Sequence, residues 1–502
     1  MQEFKFDNLD TIAAEAFEGH IIRKDLIKKF VSKYPVPAYV FEALLGRLCA
    51  STNPDKIQNG LDIVERQLND SIVPSGEEER FKERARETGT VKIIDKVSAR
   101  LDDTTGSYVA TIPSLHLKNV TINETLVNER MLLGGFYSEI DLSYDAAQES
   151  KVNLFSITSI RPIQITKPDI LNTLYSGRNK FNSAEWKDFL LRSIGLEPSA
   201  MTNRNKDILL LRMVPFVENN YNLIEVGPRA TGKSHLYQQI SSHSLLVSGG
   251  KATVARMFVD NNSGRKGLVC LYDVVCFDEA SDICFDQKDG VNIMKGYMES
   301  GEFTRGMDTI RSFGSIVILS NLNIDVKNQQ RIEHLFDPMP PEMRDDTAIM
   351  DRIHCYLPGW DIPKVSEGIK TTHFGLVSDF LSECWTRLRS HNRLSILQGK
   401  VVFGSALSRR DQNAVSKTIN GLIKLLHPSP DKEIPDDDLE WAIRLALECR
   451  RRVKEQQKRI GSYEFHNTQF SYTLAKDGVE KFVATPELQS DDYVETDPSP
   501  KG

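Results

Sequence analysis

A chain of 502 residues, at roughly 150 residues per domain, is sized for about three domains and at least one large buried core. Hydrophobic residues make up 40% and charged residues 26%, a globular balance that excludes disordered and fibrous chains. Lys and Arg number 63 against 70 Asp and Glu, so the net charge of −7 confines any nucleic-acid contact to local basic patches.

The longest apolar runs, residues 315–320 and 274–277, fall far short of the ~20 residues that cross a bilayer. Residues 1–10 carry acids and no apolar stretch, so no secretory signal is read there and a cytoplasmic location is expected. Seven cysteines without a C-x-x-C pair predict neither a zinc site nor a disulfide framework.

From residue 10 to 68 apolar residues recur at helical spacing, as in Ile21, Ile22, Leu26, Ile27, Phe30 and Val31. Residues 69–90, with Pro74, Gly76 and the charge run 77–86, read as a linker or an exposed helix. Short β-rich runs follow at 92–99, 108–112, 120–122, 134–142 and 152–165, a count that suits a small barrel or sandwich and fits an OB-like barrel, although propensity alone does not fix the topology. Helical spacing returns over 167–217. Strand and helix patterns then alternate from 221 to about 363, which predicts an α/β fold with a parallel sheet and helices on both faces. The expected domains are a helical region (1–90), the β-rich domain (91–166), a helical linker (167–217), the α/β core (218–363), a C-terminal helical lid (364–472) and an acidic, disordered tail (473–502).

The strongest motif is residues 227–234, GPRATGKS, a complete G-x-x-x-x-G-K-[ST] between an apolar strand and a helical segment. Gly227 and Gly232 let backbone N–H groups turn inward around phosphate oxygens. Lys233 then reaches the β/γ-phosphates of ATP, and Ser234 offers its hydroxyl to Mg²⁺. Thr231 and His235 complete the nucleotide-contacting set. Residues 271–279 form an apolar strand ending in Asp278 and Glu279, a Walker B pattern in which Asp278 holds Mg²⁺ and Glu279 polarises the attacking water. A further apolar strand ends in Asn321, where AAA+ ATPases carry the residue that orients that water, with Asn323 a near competitor. Arg352, after Asp351, suits an arginine finger supplied to a neighbouring subunit; its alternative is a plain ion pair at a domain seam. Arg409, Arg410 and Lys417 are candidates for a second sensor on the nucleotide.

These residues support a family. The chain from about 134 to 472 resembles the BrxL family, the Lon-related AAA+ proteins of BREX phage-defence systems. The resemblance is carried by residues 227–234, 248–250, 267–279, 288–290, 294–298, 351–354, 358–360 and 450–461. It implies a homo-oligomeric ring, a hexamer or stacked pair of hexamers, with a core similar to that of MCM replicative helicases, acting on double-stranded DNA beside other BREX components. In that likeness Lys417 stands at the sensor-2 arginine. Longer family members continue into a Lon-like protease domain. This chain ends about thirty residues after Tyr472, and Ser490 and Ser499 lack the surroundings of a Ser/Lys dyad, so ATP hydrolysis without peptidase activity is expected.

Residues 296–311 are turn-rich and resemble the pre-sensor hairpin of MCM helicases, which points into the ring pore. Arg305, with Arg311, is the candidate DNA-backbone contact; the alternative makes Phe303 a core residue and Arg305 an ordinary exposed charge. A mixed Phe303, Thr304, Arg305 tip leans toward nucleic acid over polypeptide threading, and the competing class is a protein-remodelling or scaffold ATPase. The basic cluster Arg450, Arg451, Arg452, Lys454, Lys458 and Arg459 on a predicted helix reads as a solvated face.

Overall fold

The computed structural model describes residues 4–51, 53–132, 134–145, 154–163, 169–248, 254–259, 266–279, 288–305, 308–322, 326, 334–461 and 465–488. The tail from 489, with Ser490 and Ser499, and the competitor Asn323 lie outside them. The chain forms two compact units, one from residues 1–200, 238–243 and 368–384, the other from 201–237, 244–367 and 385–502.

The first unit opens with helices and the short strand β1 (Ile21–Arg23), which pairs antiparallel with Phe374–Leu376. Five strands then close a barrel in the order β2-β3-β4-β6-β5: β2 (Thr90–Asp102), β3 (Ser107–Ile112), β4 (Leu117–Ile122), β5 (Phe136–Tyr144) and β6 (Phe155–Pro162). All neighbours are antiparallel except β4 and β6, which run parallel, so the last strand crosses over to close the expected OB-like barrel. Alternation on β5 buries Phe136, Ser138, Ile140 and Leu142 while intervening residues reach the surface. The charge run 77–86 lies largely in a helix, Glu78–Thr88, whose Phe81 and Ala85 pack into the barrel core.

The expected helical linker 167–217 is helical in its described residues, 169–217, which are divided between the two units. Helices Ile170–Arg178 and Ser183–Ser193 belong to the first unit, where Trp186 and Phe189 pack with Phe17 and Phe181 in stacked, tilted and edge-on contacts at centroid distances of 5.1–6.1 Å. Burying each such ring contributes a few kcal/mol, which no solvated linker would do. The helix Asn203–Val217 belongs to the second unit and is buried from Ile208 to Val217.

The second unit is built on a five-stranded parallel sheet in the order β13-β7-β12-β9-β8. Its strands are β7 (Asn222–Gly227), β8 (Ser244–Ser248), β9 (Val274–Asp278), β12 (Ser315–Asn321) and β13 (Cys355–Pro358). β7, β13 and all of β12 but its last residue are buried, as a parallel sheet covered on both faces requires. Between β9 and β12 stand the helix Lys288–Ser300 and the hairpin β10 (Glu302–Arg305) and β11 (Asp308–Arg311).

The predicted lid, 364–472, departs from a purely helical unit. Residues 368–384 belong to the first unit, and Val401–Phe403, Ser471–Leu474 and Glu480–Phe482 form a three-stranded sheet beside the long helices Arg409–Leu426 and Asp436–Ile460. The disordered tail does not begin at 473. Residues 473–488 are folded, and Glu487, 8% exposed, pairs with Arg452. Among the described residues no helix is long and apolar enough to cross a membrane.

Candidate functional site

The carboxyl edge of the parallel sheet gathers three of the predicted segments, at the ends of β7, β9 and β12. This is the edge at which open parallel sheets place their ligand crevice. Asn321 lies in register with Gly227, and Ser248 with Asp278.

After β7 the chain turns tightly over residues 228–232 into the helix Lys233–Gln239. Gly227 is required by close approach, since a Cβ there would meet the Gly359 carbonyl carbon at 2.5 Å. Gly232, with φ +74°, and Ala230, with φ 67°, are both left-handed, the alternation that turns successive N–H groups to one side. Lys233 is 7% exposed. Its ammonium donates to the carbonyls of Gly227 (2.8 Å), Pro228 (3.3 Å) and Ser320 (2.9 Å) and to Asn321 Oδ1 (3.0 Å). Every one of those acceptors is neutral, and burial pushes the Lys233 ammonium below the ordinary lysine range. Ser234 is half-buried and His235 exposed. Asp278 is half-buried at the end of β9, and the exposed Glu279 follows in the left-handed region at φ 57°. For a non-glycine residue that conformation costs on the order of 1–3 kcal/mol. Lys233, Asn321, Gly227 and Asp278 are thus brought together.

Arg352, Arg410 and Lys417 stand at the other edge. The Arg352 carbonyl accepts from Asn222 Nδ2 (2.9 Å) at the first residue of β7, and the same amide reaches the Met298 carbonyl (2.9 Å). Lys417 donates to the carbonyls of Asn219 (3.2 Å) and Asn220 (2.9 Å), in the turn that enters β7; burial pushes its ammonium down. β7 has 6 residues, so at about 3.3 Å per residue its two ends stand roughly 17 Å apart. Lys417 and Arg410 are therefore remote from the loop 227–232 of the same chain, unlike Thr231 and Ser234.

The arginines of this edge are tied to carboxylates. Arg352 pairs with Glu299 and donates to the Ala348 carbonyl (2.6 Å), while its buried Nε has no hydrogen-bond partner among the described residues. Arg410 binds Asp351 (2.7 Å) and Glu299 (3.3 Å). Glu299, one residue from the end of the helix that leads into the β10–β11 hairpin, thus receives two guanidinium groups.

The cluster Arg450–Lys454 is not a solvated face. Arg450 and Arg452 are fully buried, Arg450 binding Asp411 (2.7 Å) and Asp351 (3.1 Å), and Arg452 binding Glu448 (2.8 Å) and Glu487. Arg451 pairs with Glu455 (2.6 Å), and Lys454 adds a second cation to Asp411 (3.1 Å). Burial alone would push the Asp411 carboxyl up, but Arg450, Ser408 and Lys454 hold it below the usual carboxylate range. A charged helix is buried here because its charges are paired: Arg450, Arg452 and Lys454 reach Asp351, Asp411 and Glu487 in distant segments, which helical spacing does not reveal, while Arg451 and Arg452 also pair along the helix with Glu455 and Glu448.

In the hairpin Phe303 is 4% exposed and packs on Phe258 (4.9 Å between centroids) and Tyr297 (6.0 Å). Arg305 closes β10 opposite Asp308; its side chain lies outside what is described. Arg311 is exposed, its guanidinium 5.7 Å from the ring centre of the exposed Phe313.

Sequence reasoning missed Arg212 and Glu225. Arg212 Nε and one terminal nitrogen donate to the Glu225 carboxylate at 2.9 and 2.5 Å, with both side chains almost wholly buried. The signal was available: one arginine inside the run LLLRMV and one glutamate inside NLIEVG are each untenable in a core unless paired.

Known families match over most of the chain. Residues 155–471 match the family described as "Lon-like protease BrxL-like, ATPase domain", and residues 15–144 match "BREX system Lon protease-like protein BrxL N-terminal". The "Lon-like protease BrxL" of Escherichia coli O9:H4 (strain HS) is 42% identical over 482 residues, covering 96% of this chain and 69% of its own. The "Lon-like protease BrxL" of Bacillus cereus (strain H3081.97) is 42% identical over 474 residues, covering 94% and 70%. Among solved structures, a full-length MCM homolog from Methanopyrus kandleri aligns over 84% of this chain and 98% of its own at 11% identity, with a TM-score of 0.40. The chain belongs to the BrxL family of BREX Lon-like proteins, and its parallel sheet and phosphate loop lie within that family's ATPase domain.

Proposed function

We propose that this protein is a ring-forming AAA+ ATPase that engages double-stranded DNA in BREX antiphage defence and couples that engagement to ATP hydrolysis at subunit interfaces. The observation that carries the reading is the separation of Lys233 and Arg352 onto opposite edges of one sheet. A lysine on the β/γ-phosphates and an arginine on the γ-phosphate cannot meet across that width within one subunit. A neighbour completes the site, and a head-to-tail contact of this kind closes into a ring when its rotation allows.

The residues of the carboxyl edge fit Mg²⁺–ATP. Lys233 is a buried cation whose hydrogen-bond acceptors are all neutral, and Ser234 and Asp278 are the hard oxygen donors that Mg²⁺ takes. Bound there, Mg²⁺ supplies neutralisation of phosphate charge. Lys233 holds the β/γ-phosphates, Glu279 takes the proton of the attacking water, Asn321 orients that water, and Arg352 of the adjacent subunit stabilises charge on the transferred group. The unpartnered Nε of Arg352 supports a side chain that changes partners.

Phe303 is a core residue, as the alternative reading of the hairpin has it, so the hairpin does not offer that aromatic to grip an unfolded chain; the support for DNA is Arg311, exposed at the hairpin's base. In this reading Arg305 and Arg311 bind phosphates, Arg410 serves as the second sensor in trans, and the assembly is a hexamer, single or stacked. Electron microscopy of the purified protein with and without duplex DNA tests it. Rings with duplex density in the pore are expected; rings that bind no duplex at low salt would favour the remodelling or scaffold function.

A further inference from the structure

The buried pair Arg212–Glu225 lies directly beneath the phosphate loop, and its third arm has no part in the ion pair. With the fork of Arg212 on Glu225, the remaining nitrogen, Nη1, donates to the Thr231 carbonyl at 3.0 Å. We infer that Arg212 is a positioning residue for nucleotide binding, one that aims the Gly232 N–H at the phosphates by holding the other side of the same peptide group. This deepens the reading of residues 227–234 as the nucleotide loop and rests on it.

The reason lies in peptide geometry. A trans peptide is planar, and its carbonyl oxygen and N–H point in opposite directions. Fixing the Thr231 oxygen on a buried guanidinium therefore turns the Gly232 N–H away from the core, on the side where a phosphate is bound. The preceding peptide is held in the same way, since the Ala230 carbonyl accepts from Val365 N at 2.8 Å and the Thr231 N–H must point opposite. Left-handed Ala230 and Gly232 bring these successive N–H groups toward one concavity.

Arg212 is itself immobilised. Its side chain is 2% exposed and Glu225 is fully buried, two residues before Gly227 on the strand that launches the loop. Gly359 packs so closely over Glu225 that a Cβ there would stand 3.0 Å from Oε1, and Tyr237 Oη donates to the Arg212 carbonyl at 3.0 Å. One guanidinium thus joins strand and loop into a rigid cradle, so the N–H groups are oriented before nucleotide arrives.

Three variants of the full chain test this, read by binding of a fluorescent ATP analogue, steady-state ATPase and thermal melting. Arg212→Lys keeps a cation beside Glu225 but has no second arm for Thr231. It should weaken nucleotide affinity about ten- to a hundredfold, the worth of a hydrogen bond from a charged group, while kcat at saturating ATP stays within about threefold. Glu225→Gln lowers the melting temperature yet leaves the Arg212–Thr231 contact, so affinity should stay within about twofold of wild type. Arg212→Met with Glu225→Leu removes both charges together, which restores stability in many buried pairs, but affinity should remain low. Wild-type affinity in Arg212→Lys, or a loss of affinity in Glu225→Gln that tracks its melting temperature, overturns the inference, whether or not the double variant folds. Lys233→Ala separates the two levels: if it too binds the analogue normally, the loop assignment fails. If it does not bind while Arg212→Lys does, only the role of Arg212 falls.

Discussion

The two edges of the parallel sheet hold their cations differently, although Lys417 at the amino edge, like Lys233, donates to carbonyls. At the carboxyl edge Lys233 is buried and meets neutral oxygens alone, three carbonyls and the Asn321 amide. At the amino edge each guanidinium meets a carboxylate: Arg352 on Glu299, Arg410 on Asp351 and Glu299, Arg450 on Asp351 and Asp411. A buried cation whose hydrogen bonds all go to neutral oxygens, with Glu225 and Asp278 attracting it only through space, gains from an arriving phosphate. A paired arginine must first leave its carboxylate. In the proposed reading the first edge receives an anion directly, and the second exchanges partners when another subunit approaches.

The sharpest way to break this comparison is at the unpaired cation. Lys233→Ala should abolish ATP binding and hydrolysis, whereas Glu279→Gln should bind ATP and stall turnover. Wild-type hydrolysis by the Gln variant would remove Glu279 from the water-activating role. Next, Arg352→Ala should lower turnover on the order of 10³-fold while each subunit still binds ATP. Mixed rings of Arg352→Ala and Lys233→Ala subunits should regain partial activity wherever an intact loop faces an intact arginine. No recovery in verified mixed rings would confine Arg352 to its contacts with Glu299 and Ala348.

The edges also differ in how far the sequence reveals them. Residues 227–234, Asp278 with Glu279, and Asn321 are legible because each is a short string ending a strand, and parallel topology brings strand ends together. The amino edge is built from pairs such as Arg450 with Asp351, nearly 100 positions apart, which no local pattern encodes. For the same reason the basic helix reads as solvated from its spacing alone, and the aromatic helices 170–193 read as a linker. The barrel was legible in strand count, but its closure through parallel β4 and β6 is a long-range choice.

The paired edge can be probed through stability. Arg450→Ala leaves Asp411 buried with one cation fewer and should cost about 3–5 kcal/mol, read as a lowered melting temperature. The Asp411 carboxyl is held below its unfolded value of 3.8. Its contribution is therefore present above about pH 4 and lost as pH falls through the lower folded pKa. The difference between wild type and Arg450→Ala should shrink over that acid window. A difference that is constant in pH would assign the effect to packing instead. DNA affinity should not change, since Arg450 has no exposed surface.

The smallest effect concerns the hairpin, which leaves the same edge as Glu299. Arg305→Ala or Arg311→Ala should weaken binding to duplex DNA similarly across unrelated sequences and lower the salt slope of log K by about 1 for each phosphate no longer neutralised. The change arises because a cation on phosphate releases counterions without reading base edges. ATPase in the absence of DNA should hold, because the hairpin starts from the amino edge, roughly a strand's length from Lys233. Arg311 has a second partner in the Phe313 ring, so Phe313→Ala is the companion variant. If it reproduces the loss at high salt as well as low, stacking on a base or ring contributes beside charge. If neither arginine variant alters affinity while rings stay intact by microscopy, the hairpin is not the DNA contact, and the partner-exchanging edge serves subunit contacts alone.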